Sequence, residues 1–546
     1  MTEPLRQHLQ RRMISLESER SSWIGRWQEL GDFILPDGGP KNGSSGNEPP
    51  RKPMQIIDAT GSLAARTLAS GMSAGLSSPK APWFKLAVEG AEDASPVRVW
   101  LQEVERMMRA VFRQSNVYNV LPAFYKKLAV FGTAAVVVQE DREDIIRCYP
   151  LTLGEYSLAN SDRLQVDTLY RSFKMTVSQT VQRFGIENVT DRVKTAYDNG
   201  NYDQWVDVSC AIEPNTDRRP ELKDARNKPY RSVYWEKGAS EDKFLSISGY
   251  DEFPVMAARW DTEGTGVYGC GSPGMEALGS IKALQQMHRT QGKALAKMVD
   301  PPLLAPSHLR GQAVSMLPGG ITYVDGPAAD GVRPLYQMSF NPEAMINPIQ
   351  DTRREIERFF YADLFLMLAQ REGQMTAREV QERHEEKLLV LGPVLERLQS
   401  ELLAPLITRT FAIMARSNLL PPPPEEMGGP ITIDYISPLA QAQEAMGVTA
   451  IERAVGFTGN LAGISPDVID NLDMDTIVDE YGRMLGVPAK VMRDKQQVAE
   501  IRQARQKAQQ QQEQMAMMQQ GIEGAKLLSE TETGEGQNAL QNILGV

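Results

Sequence analysis

The sequence predicts an α+β protein, predominantly helical, on three observations. Apolar residues recur at helical spacing over long stretches toward both ends of the chain. Between about residues 145 and 260 the pattern switches to short β-like runs. Hydrophobic residues make up 41% of the 546, which is ordinary for a chain with ample core and sets wholesale disorder aside. At roughly 150 residues per domain, this length corresponds to about three or four compact units.

Residues 5 to 35 carry Leu9, Met13, Leu16, Trp23, Trp27, Leu30 and Ile34 at helical spacing and end at Pro36-Asp37-Gly38-Gly39-Pro40, an amphipathic helix running into a turn. Residues 38 to 53 hold too few apolar side chains to pack and are expected as an exposed loop. Asp58 can cap a helix through about Ser73, and Trp83-Phe84 lies in a short extended piece. Trp100, Val104, Met107, Met108, Val111 and Phe112 share one face of a helix from Ser95 to about Ser115. Tyr118 to Phe131 continues in helical period, followed by a buried strand, Ala134 to Gln139. The β-like runs include Ile145 to Tyr149, Leu164 to Phe173, Trp205 to Ile212, Tyr230 to Lys237 and Phe253 to Trp260, interrupted by one short helix from Thr176 to Phe184. Runs of that kind predict a largely antiparallel sheet.

Two long helices are expected next, Pro273 to Val299 and Pro342 to Leu368, bracketing a Pro/Gly-rich segment of short strands from Asp300 to Phe340. At 1.5 Å per residue each is roughly 40 Å long, so the pair with its small cap reads as a projecting rod. After the polar break Gln370-Arg371-Glu372-Gly373-Gln374, a third long helix runs from Thr376 to about Asn418. Pro393 and Pro405 kink it, and the run Pro421 to Pro424 ends it. A strand at Ile431 to Ile436 precedes further helices. The last of these, Asp494 to Gln520, is rich in Gln, Arg and Met, with Val498, Ile501, Ala504, Ala508 and Met515 among its apolar positions. It reads equally as a self-associating or partner-binding element and as a solvated terminal helix. The final twenty or so residues look loosely ordered, and no internal repeat is apparent.

Charge and composition narrow the function. With 59 Lys+Arg against 70 Asp+Glu the net charge is -11, and the pI is near 5.2. A protein that grips nucleic acid over a broad surface needs clustered cations to release counterions, and this chain lacks that excess. Cys148, Cys210 and Cys270 lie too far apart for a disulfide framework or a Cys-rich zinc site and fit a reducing cytoplasm. The N-terminus lacks a signal-peptide core, and no run approaches the roughly 20 apolar residues of a bilayer span, so no direct membrane contact is expected. Twenty-five Met, 34 Pro and 43 Gly against four His suit an assembly component better than a metalloenzyme.

Motif matches to chemistry fail on context. Gly264-Thr265-Gly266-Val267-Tyr268-Gly269 has dinucleotide-binding spacing, but Asp261 to Glu263 separate it from the preceding strand, and Arg289 to Gln291 stand where the ribose-binding acid belongs. It reads instead as a Gly-rich hinge into Pro273. Gly71-Met72-Ser73-Ala74-Gly75 matches a nucleophile elbow, yet a helix enters it where a strand is required. Gln291-Gly292-Lys293-Ala294 lacks the first Gly and the final Ser/Thr of a phosphate-binding loop. His8, His288, His308 and His384 are scattered, and His384-Glu385-Glu386-Lys387-Leu388 misses the H-E-x-x-H zinc spacing. Glu140-Asp141 and Glu385-Glu386 read as solvated faces. No catalytic residue, cofactor or metal site is expected.

Four stretches carry a resemblance. They are Ile57-Asp58-Ala59-Thr60-Gly61 through Gly71-Met72 to Pro82-Trp83-Phe84-Lys85-Leu86; Val267-Tyr268-Gly269-Cys270-Gly271-Ser272-Pro273-Gly274; Met375-Thr376-Ala377-Arg378-Glu379-Val380; and Leu391-Gly392-Pro393 through Glu401-Leu402-Leu403-Ala404-Pro405-Leu406. Together with the segment order, over about residues 5 to 440, they resemble the head-to-tail connector, or portal, proteins of short-tailed double-stranded DNA bacteriophages. The family often has Arg-Ser-Pro where this chain has Cys270-Gly271-Ser272-Pro273, a departure at a helix entrance.

The resemblance implies a portal fold with wing, long-helix stem, small α/β clip and helical crown, in a homododecameric ring at one capsid vertex. The wing would be residues 1–272, the stem helices 273–299 and 341–369, and the clip 300–340. The tunnel loop would be 370–375, the kinked wing helix and return strand 376–440, and the crown with its flexible tail 441–546. Gln370, Arg371, Glu372, Gly373 and Gln374, with Lys293 and Lys297, would face double-stranded DNA in the channel. Pro301, Pro302, His308, Arg310 and Tyr323 in the clip would meet the terminase large subunit and then tail adaptor and tail tube proteins. Major capsid, scaffolding and internal core or ejection proteins complete the implied partners, in a virion assembled in the host bacterial cytoplasm. A mostly negative wall suits this role, since strong phosphate contacts would brake a sliding duplex. Another multimeric virion component, a tail adaptor or scaffold, is the alternative: adaptors are usually much shorter, and scaffolds lack a β-rich middle. An enzyme ranks third, since no convergent titratable constellation is visible.

Overall fold

The computed structural model describes residues 4–40, 55–88, 95–222, 224–239, 243–299, 303–304, 333–334, 342–369, 391–424, 429–436, 451–461, 467–468, 472–484, 495–530, 532–533 and 537–538. The chain divides into two compact units: residues 1–84, 106–420 and 435–443 in one, and 85–105, 421–434 and 444–546 in the other.

The first unit is built on two antiparallel sheets. Five strands, β4 (Tyr156–Asn160), β5 (Val166–Thr176), β6 (Trp205–Pro214), β7 (Tyr230–Glu236) and β8 (Ser246–Tyr250), pair in sequence order. Helix α1 (Leu5–Phe33) turns Leu9, Met13 and Leu16 onto Tyr170, Ala211, Val233 and Trp235 of that sheet, as its heptad-like apolar spacing requires. Its second half sets Trp27 edge-on to Tyr268 with ring centroids 5.2 Å apart. The smaller sheet has the order β3 (Ile145–Pro150), β2 (Thr133–Asp141), β9 (Val255–Arg259). β2 is its central strand, and residues 133–138 are buried without alternation, the mark of a strand covered on both faces.

Around these sheets lie α2 (Thr60–Leu76), α4 (Val117–Phe131), α5 (Val177–Phe184), α6 (Asp191–Asp198) and α7 (Pro273–Val299). α5 opens on a capping box in which Thr176 and Gln179 each accept from the other's backbone N–H. α7 starts and stops at the expected residues. β10 (Leu303–Leu304) and β11 (Arg333–Pro334) pair antiparallel within the expected strand-bearing segment. In the second unit β1 (Phe84–Val88) pairs with β12 (Ile431–Tyr435), and α3 (Ser95–Gln114) begins there. Glu105 accepts the Leu86 N–H at 2.8 Å, and the Trp100 indole donates to the Pro421 carbonyl at 3.0 Å. Further helices cover 451–461, Met474–Met484 and Lys495–Glu530.

Several expectations need correction. The middle holds a second short helix, α6, and, beyond the runs named from the sequence, the strands β4 and β8. Their sequences, YSLAN, SISGY and DRVKTAYD, have weak local preference, and the strands exist because neighbouring edges pair with them. The presumed exposed loop after the first helix begins with Gly38 and Pro40 buried; residues 41–54 lie outside the described ones. The second long helix is two: α8 (Pro342–Phe359) and α9 (Ala362–Ala369), separated at Tyr361, whose φ is 53°. Residues 376–390 of the third helix lie outside the described residues. From 391 the helix continues to Arg416. Pro405 has no N–H to give, and the ladder resets through a π turn, Gln399–Leu403, in which the Ala404 N–H reaches the Gln399 carbonyl. The helix stops by Asn418, as expected, but it is the left-handed Asn418 (φ 52°) that closes it and not the prolines from 421. The terminal helix runs ten residues past its expected end, to Glu530.

Candidate functional site

Of the glycine-rich stretch before α7, expected as a hinge, Gly269 forms a packed corner, whereas Gly264 is exposed with nothing close to it. A Cβ on Gly269 would sit 2.0 Å from the Gly132 carbonyl oxygen, and Gly132 itself closes α4 at φ 75°. Ser272 donates to the Val130 carbonyl at 3.1 Å while its hydroxyl caps Met275 N–H, so Pro273 enters the first turn of α7 from a fixed platform. The elbow-like Gly71 to Gly75 lies inside α2, which removes the exposed turn a nucleophile needs.

One cluster ties the helix pair to the body at its root. Asp58, just before α2, accepts two bonds from the Arg353 guanidinium of α8 at 2.6 and 3.0 Å. The His288 Nε2 of α7 stands 3.0 Å from the same carboxylate oxygen. The other oxygen accepts the Thr60 N–H at 2.8 Å. Gln285, one turn before His288, accepts from the Ile57 and Asp58 N–H groups at 2.7 and 2.8 Å and returns a bond to the Asp58 carbonyl at 2.9 Å. The Asp58 side chain is only 5% exposed. Burial opposes its ionisation, but the bonds from Thr60 and Arg353 outweigh that and hold the carboxyl below the ordinary carboxylate range. Nearby, Lys282 pairs with Glu29 of α1, and Arg289 donates to Gln55 at 2.7 Å.

Beyond this root α7 carries exposed side chains. Lys293 and Lys297, one turn apart, are both exposed, and Val299 is 82% exposed. The remaining predicted channel residues, Gln370, Arg371, Glu372, Gly373 and Gln374, and the clip residues, Pro301, Pro302, His308, Arg310 and Tyr323, lie outside the described residues. So do His308, His384 and the Glu385-Glu386 pair.

A second buried pair was not anticipated. Arg259, at the end of β9, donates its backbone N–H to Glu401 at 2.8 Å and its guanidinium to the same carboxylate at 2.5 and 3.0 Å. It also reaches the Leu164 and Gly266 carbonyls, so one side chain joins the sheet, the glycine corner and the π turn. The available signal lay in the quoted stretches: Asp58 and Glu401 both fall within them, one read as a cap and the other not at all. Burial pushes the Cys148 thiol up to about 12 and Cys210 up to about 11, which leaves both inert. Among the described residues no group of three or more His, Cys, Asp or Glu could hold a metal ion. No described helix is long and apolar enough to cross a membrane. The arrangement positions helices; it does not assemble a nucleophile, base and oxyanion donor.

Comparison with known proteins agrees in kind. The family described as "Bacteriophage head to tail connecting protein" matches residues 6–492. The chain is 45% identical over 540 residues to the "Portal protein" of Salmonella phage epsilon15, covering 98% of this chain and 97% of that one. It is 41% identical over 533 residues to the "Probable portal protein" of Bordetella phage BPP-1, covering 97% and 96%. A solved chain titled "Virion of native gene transfer agent (GTA) particle" aligns with 12% identity and a TM-score of 0.33 over 73% of this chain and 86% of that one. With the family's pattern matched from α1 to beyond β12, the chain belongs to the bacteriophage head-to-tail connecting proteins.

Proposed function

We propose that this protein is the portal of its phage: a homododecameric ring at one capsid vertex through which double-stranded DNA is packaged and later ejected. The single observation that carries this reading is 45% identity, over nearly the full length of both chains, to a protein named as a portal. Its role is structural. Residues 1–272 form the wing, α7 and the 341–369 segment the stem, 300–340 the clip, 370–375 the tunnel loop, 376–440 the kinked wing helix with return strand, and 441–546 the crown. The clip receives the terminase large subunit and then the tail adaptor and tail tube, while capsid, scaffolding and internal core proteins surround the ring.

The chemistry of the chain supports a passive conduit. A net charge of -11 on each copy repels the duplex and keeps it centred. Lys293 and Lys297, exposed beyond the root of α7, supply weak and transient phosphate contacts. Arg371 and Gln374 do the same from the tunnel loop. Light scattering with negative-stain imaging tests the reading: a species near twelve times 60.7 kDa, seen as rings with a central hole, is expected. A compact dimer or tetramer without a hole overturns it.

A further inference from the structure

We infer that α2 is a strut that couples the root of the α7–α8 pair to α9, so that a displacement of those helices is delivered to α9. The two ends of α2 are held by different partners. At its start, Asp58 is clamped by Arg353 of α8 and His288 of α7, and Gln285 of α7 holds the backbone of Ile57 and Asp58. One turn later Gly61 packs against Ile281 of α7. About 15 Å further along the same helix, Gly71 lies directly beneath the Phe365 ring of α9. A Cβ there would approach that ring to 2.1 Å, so the contact is as close as helix and ring can come.

The break at Tyr361 makes this contact consequential. α9 is not a continuation of α8, because Tyr361 is left-handed and the helical ladder restarts after it. The direction of α9 is therefore set by what it packs on. Phe360, Ala362, Leu364 and Phe365 are all buried, and α2 supplies the floor under Phe365. Between its ends α2 buries Ala64, Ala65 and Leu68, which makes it a packed rod and not a flexible tether. Movement of α7 or α8 at Asp58 thus reaches α9 through a run of close contacts.

The strut stands on these contacts alone; its bearing on DNA rests on the proposed function. Hydrogen exchange read by mass spectrometry on the assembled full-length protein tests it, comparing Asp58→Asn, Arg353→Lys and Gly71→Ala with the parent and with Arg416→Gln as a control far from α2. Asp58→Asn and Arg353→Lys are expected to raise exchange several-fold in both the 57–62 and 362–369 peptides. Gly71→Ala should raise it in 362–369 while leaving 57–62 as in the parent, and the control should change neither. Faster exchange in 57–62 with an unchanged 362–369 peptide in both root variants overturns the strut. DNA retention in particles carrying Asp58→Asn separates the two readings: coupled exchange with full retention keeps the strut and removes its functional meaning.

Discussion

Asp58 is where a single side chain does the most. Its carboxyl is held below its ordinary value of 3.8, so the stability it contributes is present above that value and is lost as pH falls through the lower folded one. The melting temperature of the parent should exceed that of Asp58→Asn at neutral pH, and the gap should close below about pH 4, as scanning calorimetry across that range will record. Arg259 and Glu401 form the other decisive pair, with side chains 6% and 17% exposed. Arg259→Met leaves the largely covered Glu401 carboxylate without its partner and is expected to cost up to about 3–5 kcal/mol in chemical denaturation, and pairing it with Glu401→Leu should recover much of that. The cysteines offer a chemical check. Cys148 and Cys210 are buried and Cys270 is partly exposed, so a thiol reagent should modify Cys270 alone until the chain is unfolded. Neither ion pair was legible in the sequence. Asp58 and Arg353 are 295 positions apart, and no local pattern marks a bond across that separation.

Among the elements, legibility follows how local the cause is. α7 was read to the residue because Pro273 suits the first turn and its apolar positions keep helical period throughout. β2 was legible as a continuous apolar run. The split between α8 and α9 was not, because no glycine or proline marks it; Tyr361 itself takes the left-handed conformation, next to the fully buried Phe360. Pro405 was read as a kink, and the π turn before it is how the helix accommodates the missing N–H without ending. The terminal helix Lys495–Glu530 keeps Ile501, Met515, Met517, Met518 and Ile522 exposed. Its described ties include the Arg502–Asp475 pair, 59% and 55% exposed, of a kind that contributes little. A chain ending at residue 494 should therefore retain the thermal transition of the sheet-bearing unit, measured by near-ultraviolet circular dichroism.

On the scale of the whole molecule, the proposed conduit predicts weak and reversible contact between a duplex and the exposed Lys293 and Lys297 of a chain whose net charge is -11. Replacing Lys293 and Lys297 together by Gln should leave the mass of the assembly unchanged and flatten the salt dependence of duplex retention, read as the slope of retained DNA against log salt; an unchanged slope would show that neither lysine meets the duplex. The sequence by itself determined the α+β class, the face of α1, the extent of α7, the antiparallel middle and the family, because each is written in local periodicity or in contiguous motifs. Only the tertiary structure decided that β4 and β8 exist, that α8 and α9 separate, and that Asp58 meets Arg353 and Arg259 meets Glu401. Those features depend on which distant surfaces close on one another, and burial between them outweighs the preference of any short segment.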